Sequence, residues 1–143
     1  MNNIVGKWKI NKLTAIDKDF NLSLMPVEEA VKTSMWAHFP KMAEAIYEFT
    51  PEGRMELTMP IPEGISKEDI EKEGLQLKDN GYGVFQSTSW KEENGGILYK
   101  GSEHKEIFGE EVSPWEKIGI DGNIATLYEG ETVTCEIERI QLQ

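Results

Sequence analysis

One cysteine, two histidines and an excess of acid over base set the first limits on this 143-residue chain. Cys135 has no second cysteine with which to close an internal disulfide, which fits a reducing compartment. No apolar run approaches the ~20 residues that span a bilayer. The opening Met1-Asn2-Asn3-Ile4-Val5-Gly6 lacks the basic flank and apolar stretch of a secretory signal. A cytoplasmic location is the expectation. Lys and Arg total 15 against 26 Asp and Glu, for a net charge of −11. No Lys/Arg cluster with interleaved aromatics offsets that field, which repels phosphate backbones and anionic lipid surfaces. Neither nucleic acid nor a membrane is expected as a partner, and the acidity reads as solubility.

Catalytic and metal signals are equally sparse. His38 and His104 stand in no zinc-ligand spacing with Cys135. The thiol lies in an apolar strand pattern, where a buried, inert role is expected. There is no glycine-rich phosphate loop and no local Ser-His-acid or Cys-His arrangement. No catalytic residue or cofactor is assigned. Asp17-x-Asp19-x-Asn21-x-Ser23 followed by Glu28 does match the oxygen spacing of an EF-hand calcium loop. Leu22, however, occupies the position that needs a glycine, and a strand pattern rather than a helix leads in. Turn chemistry ahead of a helix accounts for the same residues, and no metal site is assigned.

What the chain has is strand pattern. At 38% hydrophobic and 29% charged, residues 1–143 suit one domain with a core. Ile4 to about Ala15 reads as a long first strand with Trp8 and Ile10 on one face. Turn residues follow at Asp17–Asn21. Pro26 starts a predicted helix over Val27–Ala37, with Glu28 and Glu29 near its positive end. A further short turn of helix is predicted over Lys41–Ala45. Strands then flank turns at Thr50–Arg54, Glu92–Gly96, Asp121-Gly122 and Glu129–Glu131. A short helix is predicted from Ser66 to Gly74, and Glu103–Glu111 reads as a loop or ragged strand. About eight strands with short connections predict a mainly β chain, a single antiparallel up-and-down barrel with a helical insert between the first two strands.

Gly6 and Trp8 open the first strand, and the last strand aligns Val133, Cys135, Ile137 and Arg139 on one face. Pairing the two strands antiparallel brings Arg139 beside Trp8, where a cation–π contact of ~0.5–2 kcal/mol would seal one barrel end. On these residues the chain resembles the calycin superfamily, closest in pattern to lipocalin-like barrels with fatty-acid-binding-protein traits. The insert is similar to the lid of fatty-acid-binding proteins, as is the ending from Gly130 to Arg139. That family commonly holds the ligand carboxylate with an Arg-x-Tyr pair. Aligned on Cys135, those positions are Ile137 and Arg139 in this chain, so the usual inner cation is replaced and a fatty-acid ligand is not implied.

An eight-stranded barrel is just wide enough to be filled by side chains or to hold one small ligand. Candidate lining residues are Met55, Leu57, Met59, Trp90, Tyr99, Trp115 and Tyr128, with Gln86 as a polar handle. Met35, Trp36 and Phe39 lie on the candidate lid. Methionines and aromatics make an adaptable apolar wall, although each can equally be plain core. As a set they point to non-covalent binding of a small hydrophobic ligand. A filled barrel serving as a protein–protein interaction module is the alternative, and an enzyme using the cavity is the third reading. Nothing in the sequence speaks to oligomeric state.

Overall fold

Alternating apolar and polar residues bounded by tight turns give eleven strands among the residues described by the computed structural model, which are 4–37, 39, 41–61, 66–72, 76–78, 81–100, 105–107, 110–112 and 115–140. In chain order they are β1 (Gly6–Ile16), β2 (Leu22–Pro26), β3 (Ile46–Phe49), β4 (Arg54–Pro60), β5 (Tyr82–Glu93), β6 (Gly96–Lys100), β7 (Lys105–Ile107), β8 (Glu110–Val112), β9 (Trp115–Asp121), β10 (Ile124–Glu129) and β11 (Thr132–Arg139). The main sheet runs β11-β10-β9-β6-β5-β4-β3-β1-β2, and β11 also pairs with β1. Eight antiparallel strands therefore form a closed barrel, and β2 is one strand extra. β7 and β8 form a separate two-stranded ribbon between β6 and β9 in the chain.

The length of β1 explains how closure and an extra strand coexist. Along one edge, Trp8 to Leu13 pairs with Arg139 to Cys135 of β11. Along the other, Gly6–Lys9 pairs with β3, and Lys12–Ile16 pairs with β2 once β3 has ended. The fold thus corrects the reading of residues 22–26, which extend the β1 hairpin before any helix begins. Helix α1 covers only Val27–Ala30, after β2, with Pro26 at the N-cap rather than inside the first turn. Thr33 adopts an extended conformation and cuts the predicted helix, which resumes as a single 3₁₀ turn over Ser34–Trp36. A second 3₁₀ turn covers Met42–Glu44. α1 has no side-chain N-cap and no basic residue in its last turn, so little local energy favours a longer helix. Val27 and Ala30 are buried, and packing holds this turn in place. Helix α2, Lys67–Lys72, is capped by Ser66, whose Oγ accepts the Asp69 amide at 3.1 Å. Gly74, at the end of the predicted helix, lies outside the described residues. No helix among the described residues is long and apolar enough to cross a membrane.

Three register shifts bend the barrel wall, one between Ile10 and Lys12, one between Leu57 and Thr58 and one between Leu127 and Tyr128. They leave Asn11, Phe85 and Thr134 as bulge residues without a cross-strand partner. A bulge inserts one residue and reverses the inside–outside alternation beyond it. The core reflects the result, with Trp8, Ile10, Phe49, Met55, Ile97, Ile118, Ala125 and Ile137 buried together.

Candidate functional site

The two ends of the barrel differ. At the closed end Trp8 is fully buried, its ring under the Arg139 guanidinium at 4.3 Å from Cζ to the ring centroid. The indole Nε1 donates to the Ile4 carbonyl at 2.8 Å, and Arg139 Nη1 donates to the Val5 carbonyl at 2.9 Å. Gly6 lies between these two contacts with φ +135°, and a Cβ there would stand 3.1 Å from Arg139 Nη1. Only glycine suits that backbone and that space. Ile4 and Val5, just ahead of β1, are thereby tied across the barrel end.

At the other end a cavity of about 750 Å³ lies between the barrel wall and the insert. One row of cross-strand partners leads to it, from Trp8 on β1 through Tyr47 on β3 and Leu57 on β4 to Gln86 on β5. Strand tilt carries such a row along the axis, from the sealed end toward the open one. Leu57, Met59 and Gln86 line the cavity from the wall, and Met35, Trp36 and Phe39 line it from the insert. Trp36 anchors the insert by donating from Nε1 to the Thr14 carbonyl at 3.0 Å, and its ring meets Phe39 edge-on at 6.4 Å. Met35 and Phe39 remain partly exposed, at the boundary between cavity and solvent.

The other five candidate residues are placed elsewhere. Met55 is buried in the core. Trp90 packs edge-on against Phe49 and donates from Nε1 to the Thr50 carbonyl at 2.9 Å, which braces the turn between β3 and β4. Tyr99 donates to the Tyr128 carbonyl at 2.8 Å. Trp115 and Tyr128 sit on the outer face, under Lys91 at 4.2 Å and Lys117 at 4.5 Å. Their neighbours Glu116 and Leu127 take the inward positions, one residue out of phase. Val133 leaves the face it was expected to share with Cys135, because the bulge at Thr134 pairs it with Tyr128 instead.

Among the described residues ten more line the cavity without having been singled out for it, including Tyr47, Phe85, Thr134 and Cys135. Tyr47 could have been found, since it alternates with Phe49 in an obvious strand. Phe85 and Thr134 could not, because bulges bring them inward beside Gln86 and Cys135. Burial pushes the Cys135 thiol up to about 12, with the Glu136 charge adding to the effect. Tyr47 is raised well above the usual phenol value, chiefly by burial and then by Cys135 and Tyr99. Burial likewise takes Tyr99 up to about 12. At neutral pH the interior therefore holds neutral hydroxyls and a thiol, with no thiolate nucleophile.

No protein-family model matches the chain, and no curated protein or solved structure is significantly similar to it.

The calcium-like spacing resolves into a turn. Asp17 Oδ1 accepts the amides of Asp19 at 2.9 Å and Asn21 at 3.1 Å, and Asp17 N donates to the Asn21 carbonyl. Those bonds build the β1–β2 hairpin, with Phe20 at φ 63°. No three His, Cys, Asp or Glu residues among those described are grouped to hold a metal, and His38 and His104 lie outside them. The melting temperature in millimolar calcium and in chelator is expected to agree within about 1 °C, because only binding to the folded state raises it. A rise of several degrees would restore the calcium loop.

Proposed function

We propose that this barrel binds one small hydrophobic molecule, non-covalently, in the cavity beneath the insert. The observation that carries the reading is the cavity itself, about 750 Å³ and walled by leucine, methionine and aromatic side chains with a few polar groups. Ligand pockets begin at roughly 300 Å³ and combine an apolar wall with sparse polar groups in this way. The closed barrel, the sealed Trp8–Arg139 end and the insert over the opposite end support membership of the calycin superfamily, with lipocalin-like and fatty-acid-binding-protein-like traits. The net charge of −11 favours a small molecule over nucleic acid or an anionic membrane as partner. A buried free thiol suits a reducing, cytoplasmic setting.

Titration with the neutral dye Nile red tests the proposal, with native mass spectrometry of protein taken directly from cells as the second readout. Saturable dye binding at one site and a lipid-sized adduct are the expected results. Gln86→Trp places a large ring in the cavity at a half-buried position, and is expected to weaken dye binding by at least about tenfold with an unchanged circular dichroism spectrum. Absence of dye binding to the unsubstituted protein would overturn the reading. A second reading, a protein-docking module, is favoured by Phe20, 89% exposed near the hairpin tip next to Leu22 of the cavity mouth at 64%.

A further inference from the structure

We infer that the cavity selects its ligand by charge: it takes an uncharged apolar molecule that offers a hydrogen-bond acceptor to the Tyr47 hydroxyl, and it refuses carboxylates. This rests on the ligand-binding reading above and adds the chemical class of the ligand.

The first ground is the charge of the lining. Among the described lining residues there is no Lys, Arg or His, and the charged member is Glu129. Arg139, the one basic residue near the barrel interior that the sequence singled out, is not part of the lining and is stacked on Trp8 at the sealed end. A carboxylate seated beside the buried Tyr47 would lose its water without meeting a cation, and the charge present in the described lining, Glu129, has the wrong sign to help it. Burying an ion in that way is strongly unfavourable. An ester, ketone or aldehyde carries no such penalty.

The second ground is an unused donor. Tyr47 is 8% exposed, and its hydroxyl is hydrogen-bonded to no described residue. Every fully sequestered polar side-chain atom among the described residues does have a partner, so the Tyr47 hydroxyl must open onto the cavity that Tyr47 lines. Facing the cavity with no described side chain or backbone group to give up, the hydroxyl can donate to a carbonyl oxygen on the ligand. The phenol keeps its proton throughout the physiological range because burial disfavours the phenolate, so it acts as a donor. The side-chain amide of Gln86, also hydrogen-bonded to no described residue, lies two strands away in the same cross-strand row. It can donate to a second acceptor or accept from a ligand hydroxyl.

A matched pair of probes tests this, laurate and methyl laurate, which share a chain and differ in charge. Each is titrated at pH 7.5 against bound Nile red, on the unsubstituted protein and on Tyr47→Phe. Methyl laurate is expected to displace the dye at a concentration at least about tenfold lower than laurate. Tyr47→Phe is expected to weaken methyl laurate by about three- to tenfold, the worth of one neutral hydrogen bond, and to leave the melting temperature unchanged. A merely structural tyrosine would move the melting temperature instead. If laurate binds as well as its ester, charge selection is overturned, and if the ester is indifferent to Tyr47→Phe, the hydrogen bond from Tyr47 is overturned; cavity binding stands in either case. If neither probe nor the dye binds, both readings fall together.

Discussion

Replacing Trp8 with alanine is expected to lower the unfolding free energy by about 3–5 kcal/mol, which for a domain of this size removes much of its stability. The side chain heads the fully buried large residues, so its loss leaves a cavity that the closed barrel wall resists filling. Two partners are stranded with it. The Ile4 carbonyl loses the indole donor at 2.8 Å, and the Arg139 guanidinium loses the ring beneath it at 4.3 Å. Urea denaturation at 25 °C measures the effect. Trp8→Phe serves as the companion, because it keeps a ring for Arg139 but no donor for Ile4, and about 1–2 kcal/mol is expected for it. A loss below about 1 kcal/mol for the alanine variant would mean that barrel closure does not depend on this plug.

Stability is expected to be level to about pH 8.5 and then to fall steeply toward pH 12. In the unfolded chain a thiol ionises near 8.5 and a phenol near 10. In the fold Cys135 and Tyr99 are each held up to about 12, and Tyr47 is raised well above its usual value. Between those limits the unfolded chain gives up protons that the folded chain retains, so it binds fewer protons and stability decreases as pH rises. The contribution is complete below the unfolded values and is lost as pH climbs through the folded ones. Each tenfold change in a group's acidity is worth about 1.4 kcal/mol, so Cys135 and Tyr99 together amount to several kcal/mol, and Tyr47 acts in the same direction. Urea midpoints at pH 7, 9, 10 and 11 test this. Cys135→Ala is expected to delay the onset from near pH 8.5 to near pH 10, where only the tyrosines remain. A midpoint that stays constant to pH 11 would rule the mechanism out.

Much of the architecture was legible because it rests on local chemistry. Asn94-Gly95 illustrates this: both residues have positive φ, at 53° and 80°, as a two-residue turn between twisted strands requires. Alternation then marks Met55, Leu57 and Met59 as one buried face, as observed. Strand β2 escaped notice because its short Leu22-x-Leu24 pattern contributes no fully buried residue, and it pairs with β1 only because β1 outruns β3. The cavity wall was half legible. Leu57, Met59, Gln86, Trp36 and Phe39 reach it, while Trp115 and Tyr128 face outward, since composition says that a strand has an aromatic residue but not which way it points.

The barrel and its seal were thus written in short-range terms: hydrophobic period, turn residues, and a glycine–tryptophan start that can meet an arginine on the last strand. Which side chains line the open end was decided only by the closed structure. Bulges at Phe85 and Thr134 arise where paired strands of a closing sheet fall out of step, and each reverses the facing of the residues beyond it. Closure couples strands far apart in the chain, so that phase is a property of the whole ring and of no single segment.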